Sequence, residues 1–121
     1  MYELMVRDSF AAAHSLRDYK GKCERTHGHN YAVEAFFSSG KLQKNGLAVD
    51  FHVLKHALKH TLEKLDHRHL NEDIPYFKKN NTSAENIAKY IFTDLKKSMK
   101  KARIVRVNIY ESDSAMAGYE E

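Results

Sequence analysis

The sequence predicts a single α+β domain in which two helices cover one face of a small antiparallel sheet. Three observations support this prediction. Two stretches near the start alternate apolar and polar residues, two later stretches repeat apolar residues every three or four positions, and a β-rich run follows them. The resulting order, β-β-α-α-β-β over residues 1–121, favours a four-stranded antiparallel sheet with both helices on one face.

The two alternating stretches are residues 2–13 and 31–39, which have the pattern of half-buried strands. Their apolar residues are Leu4, Val6, Phe10 and Ala12 in the first stretch, and Val33, Ala35 and Phe37 in the second. A polar segment with Gly21 and Gly28 connects them. We therefore expect two strands that each bury one face.

The two helices are predicted from their caps and their apolar periodicity. Asp50 can cap the first helix, which we expect to end near Asp66. Thr82 and Glu85 form a capping-box pattern at the start of the second helix. The stripes are Phe51, Leu54, Leu58, Thr61, Leu62 and Leu65 in the first helix, and Ile87, Ala88, Ile91, Phe92, Leu95 and Met99 in the second.

The last part of the chain contains a β-rich run at residues 104–110 and a possible short strand at 115–119. Adding these two strands completes the predicted sheet. One of its faces would then lie under the helices, and the other would need a different cover. We expect oligomerisation to provide that cover, because open sheet edges also favour pairing between copies of a chain.

Composition restricts the classes of protein that remain. With 42% hydrophobic and 30% charged residues the chain is an ordinary globular protein, and no apolar run is long enough to cross a bilayer. Cys23 is the only cysteine, so no internal disulfide can form, and we expect a cytoplasmic location. The net charge of +4 suits an anionic partner, either nucleic acid or a phosphorylated small molecule.

Three histidines form the most informative constellation. His27 and His29 are two residues apart at the entrance to the predicted strand 31–39, so an extended backbone directs both imidazoles to one side. His14 can supply a third nitrogen if the first two strands pair antiparallel. Three imidazole ligands leave one tetrahedral position open, which is typical of a catalytic zinc site. By contrast, we expect His52, His56 and His60 to lie on a solvent-exposed helix face and not to bind metal.

Five motifs occur in an order that resembles one enzyme family. They are FAAAH ending at His14, CERTHGHNY beginning at Cys23, LDHRHLN containing Asp66 and His67, NTSAEN containing Thr82 and Ser83, and the single residue Glu111. Over nearly the whole chain, this combination resembles the 6-carboxytetrahydropterin and 6-pyruvoyltetrahydropterin synthases of the tunnelling-fold superfamily. The three residues between Cys23 and His27 resemble the carboxytetrahydropterin synthases of queuosine biosynthesis.

The resemblance implies roles for specific residues. By this resemblance, zinc is held by His14, His27 and His29. Cys23 is implied to be a catalytic base, and Asp66 and His67 a second proton-transfer unit. Glu111 is implied to anchor the pterin, and Thr82 and Ser83 to contact the pterin as well. A carboxylate suits the pterin because it accepts two N–H groups from a guanidine-like edge. The implied substrate is 7,8-dihydroneopterin triphosphate, and the implied products are 6-carboxytetrahydropterin, acetaldehyde and triphosphate.

The same resemblance implies a homohexamer, built from two trimers with active sites between subunits. Three other functions stay open. The first is 6-pyruvoyltetrahydropterin synthesis, and the second is a folate-pathway activity, for which Glu24 beside Cys23 is the relevant residue. The third is a non-catalytic zinc-binding or basic RNA-binding protein. We do not expect nucleic-acid binding, because such proteins usually place exposed aromatic residues among their basic residues.

Overall fold

The computed structural model describes all of residues 1–121 as a five-stranded sheet with four helices. The strands are β1 (Tyr2–His14), β2 (His27–Ser39), β3 (Arg68–His69), β4 (Arg103–Ser112) and β5 (Ala115–Glu120), and the helices are α1 (Phe51–Glu63), α2 (Leu70–Asp73), α3 (Tyr76–Lys79) and α4 (Ala84–Ser98). The strand order is β3-β1-β2-β4-β5. Only the β1–β3 pair is parallel.

Strands β1 and β2 pair along their whole length, from Tyr2 opposite Ser39 to His14 opposite His27. Each of the two strands has 13 residues. Because side chains alternate between the faces of a strand, this register directs one apolar set from each strand toward the helices. It also brings the two histidine-containing strand ends together at one end of the sheet.

Helices α1 and α4 pack on the same sheet face and bury their apolar stripes. Asp50 caps α1 by accepting a hydrogen bond from the backbone N–H of His52 at 2.8 Å. The core contains 25 buried apolar residues, most of them from these two helices and the inner face of the sheet, and the others from the connections and the short helices α2 and α3. Phe51 is an exception to the predicted stripe, since 52% of its surface is exposed. No helix is both long enough and apolar enough to span a bilayer.

The α+β prediction is confirmed, and four of its details are corrected. The sheet has a fifth strand, β3, whose two residues pair with Ala12 and Ala13. Two single-turn helices, α2 and α3, precede α4, and α1 ends at Glu63 instead of near Asp66. The cap of α4 is Ser83 and not Thr82, because the Ser83 hydroxyl accepts the hydrogen bond from the N–H of Asn86.

The face of the sheet that carries no helix is polar and internally bonded. Glu34 accepts hydrogen bonds from Arg7, Asn108 and Tyr110 at 3.1 Å each. These four residues belong to three neighbouring strands, so the network ties β1, β2 and β4 together. Because the groups already satisfy one another, this part of the face does not need an apolar cover.

Candidate active site

The three predicted metal ligands lie together where β1 and β2 meet. His14 is directly opposite His27 in the register, and His29 follows two residues later on the same face of β2. One ring nitrogen from each residue lies within 4.8 Å of the other two. The antiparallel pairing on which the prediction of His14 depended is therefore present.

Backbone carbonyls orient two of the rings. The Nδ1 atom of His14 lies 2.8 Å from the carbonyl oxygen of Thr82, and that of His27 lies 2.7 Å from the carbonyl oxygen of Arg25. In each ring Nδ1 then carries the proton and donates, which leaves Nε2 with its lone pair available. A second partner that fixes the ring in this way is typical of histidines that bind metals.

Of the three histidines, His14 gives the strongest evidence for a bound metal ion. Its Nε2 atom is buried and has no hydrogen-bond partner. Burial lowers the pKa of His14 from 6.5 to about 4, so the ring is uncharged at neutral pH. A buried, neutral and unpaired nitrogen beside two further imidazoles fits a zinc ion, for which imidazole is a preferred ligand. By contrast, His52, His56 and His60 are exposed on α1, as predicted.

Asp66 and His67 are attached to β1 by the backbone of Ala11. Asp66 Oδ1 accepts the Ala11 N–H at 2.9 Å, and the N–H of His67 donates to the Ala11 carbonyl. The other carboxylate oxygen of Asp66 lies 2.9 Å from Nδ1 of His67. The Ala11 N–H and then the His67 ring hold the pKa of Asp66 below its usual value, so the carboxyl group is ionised near neutral pH.

His67 presents the rest of its ring to the outside. Its side chain is 83% exposed, and its backbone has a positive φ of 58°. A non-glycine residue rarely adopts this conformation, so the hydrogen bonds to Ala11 are needed to maintain it. With Nδ1 directed at Asp66, the Nε2 atom of His67 is free to meet a substrate or another subunit.

Cys23 lies outside the histidine cluster as the single chain presents it. It is half-buried in a 3-10 turn, Lys22–Glu24, and its carbonyl oxygen accepts the N–H of Leu16 at 2.8 Å. Two asparagines hold the segment before this turn: Asn71 bonds to both backbone groups of Ser15, and Asn81 does the same for Arg17. The connection that carries Cys23 is therefore anchored to the region after α1.

Glu111 and Ser83 share a cavity of about 540 Å³ between the start of α4 and the turn into β5. Thr82, which was predicted to touch the same ligand, is fully buried. Its hydroxyl donates to the carbonyl of Ser15, and its own carbonyl orients His14. In this chain, Thr82 therefore connects the cavity to the histidine cluster through the backbone.

Tyr31 is a residue that the sequence reasoning did not single out. It is fully buried and stacks on Phe10, with ring centroids 4.8 Å apart. Its ring centroid also lies 5.3 Å from that of His29, and burial, followed by the nearby charge of Glu111, raises its pKa. Tyr31 therefore lies between the histidine cluster and Glu111. Its position two residues after His29 is the signal that could have revealed it.

Comparison with known proteins shows the family of this chain. The model of the 6-pyruvoyl tetrahydropterin synthase family matches residues 3–121. The chain belongs to that family. It is therefore a member of a family of synthases, and the mixed sheet and helices described above are the family fold.

Its relatives in this family have two different names. A putative 6-carboxy-5,6,7,8-tetrahydropterin synthase of Archaeoglobus fulgidus is 40% identical over 102 residues, which cover 84% of this chain and 83% of that protein. The human 6-pyruvoyl tetrahydrobiopterin synthase is 31% identical over 126 residues, covering 93% and 87%. The structure of the Caenorhabditis elegans 6-pyruvoyl tetrahydropterin synthase superimposes with a TM-score of 0.90 at 30% identity, covering 99% of this chain and 95% of that one.

Proposed function

We propose that this protein is a zinc-dependent 6-carboxytetrahydropterin synthase. The observation that carries the proposal is the placement of the histidine cluster and Glu111 on one sheet face with Tyr31 between them. This spacing suits a substrate that has a pterin ring at one end and a hydroxylated side chain beside it. The choice of the carboxy product is supported by the short interval from Cys23 to His27 and by the relative from Archaeoglobus fulgidus.

In this proposal, 7,8-dihydroneopterin triphosphate binds with its guanidine-like edge against Glu111. The carboxylate accepts two N–H groups, and Ser83 in the same cavity offers a further polar contact. The side chain of the substrate then points toward His14, His27 and His29. When zinc is bound by these histidines, it supplies Lewis acidity that makes the side-chain hydroxyls easier to deprotonate.

Two groups of the chain would move the protons. Cys23, as a thiolate, takes a proton from the substrate side chain. His67 exchanges a second proton with a side-chain oxygen through Nε2, because Asp66 holds its Nδ1–H. As these protons move, the side-chain carbon next to the ring is oxidised while the dihydropterin ring is reduced to the tetrahydropterin, so no external oxidant is needed. Triphosphate is eliminated when its carbon–oxygen bond breaks, and water then adds to the side chain as its carbon–carbon bond is cleaved in a retro-aldol sense. With one water consumed, the products are 6-carboxytetrahydropterin, acetaldehyde and triphosphate, which places the enzyme among the carbon–carbon lyases.

The direct test is to incubate the zinc-loaded protein with dihydroneopterin triphosphate and to identify the pterin by mass spectrometry. We expect 6-carboxytetrahydropterin together with an equal amount of acetaldehyde. The control is the Cys23→Ala protein at the same concentration. Recovery of unchanged substrate with fully loaded protein would contradict the proposal.

A second candidate is 6-pyruvoyltetrahydropterin synthesis, which is favoured by the close superposition on the Caenorhabditis elegans enzyme of that name. This reaction eliminates triphosphate and rearranges the side chain without cleaving it. Acetaldehyde therefore distinguishes the two activities. A product that retains the three-carbon side chain, without acetaldehyde, would establish the second candidate.

Glu111→Gln should weaken pterin binding by roughly 10-fold or more. The amide replaces one carboxylate oxygen with an NH₂ group that faces a donor, and an unmatched buried donor costs about 1 to 3 kcal/mol. Titration of the zinc-loaded protein with a fluorescent pterin measures this change. Glu85→Gln is a matched control, because Glu85 lines the same cavity but is more exposed. If Glu111→Gln and the parent protein bound the pterin with equal affinity, Glu111 would not be the residue that anchors it.

We further propose that the enzyme is a closed homo-oligomer, a hexamer of two trimers, and works in the cytoplasm. The single chain has two open sheet edges. Strand β3 covers only Ala12 and Ala13 of β1, and β5 has no neighbour on its outer side. Both edges carry exposed apolar side chains, which are Tyr2, Met5 and Met116. Pairing β5 of one subunit with β1 of the next closes these edges into a barrel.

In this assembly, His67 of one subunit would act on a site that contains Cys23 of another. Mixing Cys23→Ala with His67→Ala after dissociation should restore roughly a quarter of the sites, because reassembly combines intact partners at random. Activity is compared before and after mixing, and subunit exchange is verified by native mass spectrometry. Proven exchange without recovered activity would place both residues in the same site of one chain.

A further inference from the structure

His29 differs from the other two candidate metal ligands, because no hydrogen bond orients its ring. Backbone carbonyls hold the rings of His14 and His27, whereas neither nitrogen of His29 has a hydrogen-bond partner in the chain. Histidines that bind metals almost always have such a partner, since the ring must be aimed at the ion. The orientation of His29 therefore depends on the side chains that pack against it.

Tyr31 packs against the His29 ring. The two residues lie on the same face of β2, because side chains alternate along a strand. Their ring centroids are 5.3 Å apart, and the ring planes are inclined at 58°. The Tyr31 ring also meets the His14 ring edge to face, with centroids 5.9 Å apart. Both separations lie within the range of favourable aromatic pairs, about 4.5 to 7 Å.

The Tyr31 ring is itself held in a fixed position. It is fully buried and stacks on Phe10, its direct partner in the β1–β2 register, with ring planes only 16° apart. The rings of His14 and His27 also lie near His29, at 5.0 and 4.7 Å, but they carry the other two ligand atoms and must be placed themselves. Tyr31 therefore provides a surface for His29 that belongs to the close-packed core.

The contact is made by the ring of Tyr31 and not by its hydroxyl group. The hydroxyl oxygen is buried and has no hydrogen-bond partner, so it bonds to none of the three histidines. Phenylalanine would present the same ring without the hydroxyl, and leucine would occupy the buried site without a ring. These two substitutions therefore separate the two parts of the side chain.

We propose that Tyr31 is a positioning residue of the metal site, whose ring holds His29 in the orientation in which it binds the ion. The inference rests on the proposed function, which assigns zinc to His14, His27 and His29. The three ligands are then oriented in two ways. Backbone carbonyls orient two of them, and an aromatic ring in the core orients the third.

The test measures zinc affinity and the visible absorption of cobalt bound in place of zinc, because this absorption depends on the number and arrangement of the ligands. Tyr31→Leu should weaken zinc binding by roughly 10-fold or more, as loss of a residue that orients a metal ligand usually does, and should alter the cobalt spectrum. Tyr31→Phe should keep the affinity and the spectrum of the parent protein. Phe37→Leu is the matched control, since Phe37 is fully buried on the same face of β2 but farther from the histidines.

Circular dichroism establishes that each variant is folded. If Tyr31→Leu does not fold, Tyr31→Met takes its place, because a flexible methionine fills irregular space without supplying a ring. Unchanged zinc affinity and an unchanged cobalt spectrum in the folded variant would overturn the inference and leave the proposed function intact. Equal losses in Phe37→Leu or in Tyr31→Phe would also overturn it, since general loosening of the core or the hydroxyl would then be responsible. A cobalt spectrum that depends on the ring, in a protein without turnover, would support the inference and overturn the proposed function.

Discussion

His14→Ala is expected to lose nearly all of the bound zinc. The ring it removes is the buried one, with a neutral Nε2 atom that has no other partner. A site with three protein ligands that is reduced to two loses both affinity and geometry. Removing a residue that only hydrogen-bonds to a metal ligand typically lowers metal affinity 10- to 100-fold. Removing a ligand itself should therefore lower zinc affinity by more than roughly 100-fold. Metal analysis after dialysis measures the effect.

His29→Ala provides the safer variant of the same experiment, because His29 is only half-buried and its removal disturbs the core less than removal of His14. His56→Ala is the control, since His56 is exposed on α1 and belongs to no cluster. Circular dichroism establishes that each variant is folded. If folded His14→Ala and His29→Ala both kept one equivalent of tightly bound zinc, the histidine cluster would not be the metal site.

Cys23→Ala is expected to keep zinc and pterin binding and to lose turnover by roughly 100- to 10,000-fold. This range is the usual contribution of a positioned acid or base. The thiol is not among the grouped metal ligands, so its removal should leave the metal in place. Because Cys23 is the only cysteine, alkylation of the protein should have the same effect as the substitution.

The control for Cys23→Ala is Lys22→Ala in the same 3-10 turn, which tests whether the effect comes from the turn or from the thiol. Zinc content and the dissociation constant for a pterin are measured beside the rate. Turnover within a few-fold of the parent protein would remove Cys23 from the proposed mechanism. Loss of zinc in Cys23→Ala would instead make the thiol a ligand.

The long elements of the fold were predictable because their patterns are local. β1, β2, α1 and α4 each bury one apolar face over ten or more residues, and each face repeats with the period of its element. β3 and the helices α2 and α3 have only two to four residues, which is too short for any period to appear. The fifth strand was missed for this reason.

The candidate site was predictable to a similar degree. The interval between His27 and His29 directs both rings to one side, and antiparallel pairing then adds His14. By contrast, the carbonyl of Thr82 that orients His14 comes from a residue 68 positions later in the chain. The anchoring of the Cys23 segment by Asn71 and Asn81 also depends on distant contacts. Local sequence patterns contain no information about such pairs.

The two hydrogen bonds of Ala11 also determine where a neighbouring strand can align. Along β1, the backbone N–H and C=O groups of every second residue face away from β2. Arg7, Ser9 and Ala11 belong to this set. The groups of Ala11 are already bonded to Asp66 and His67. The N–H of Ser9 is taken by Asp8. Only residues 2–7 remain open, and that length equals the six residues of β5. In the proposed assembly, Asp66 and His67 would therefore act as a stop that sets the register between subunits, and each new subunit would join with its site already aligned.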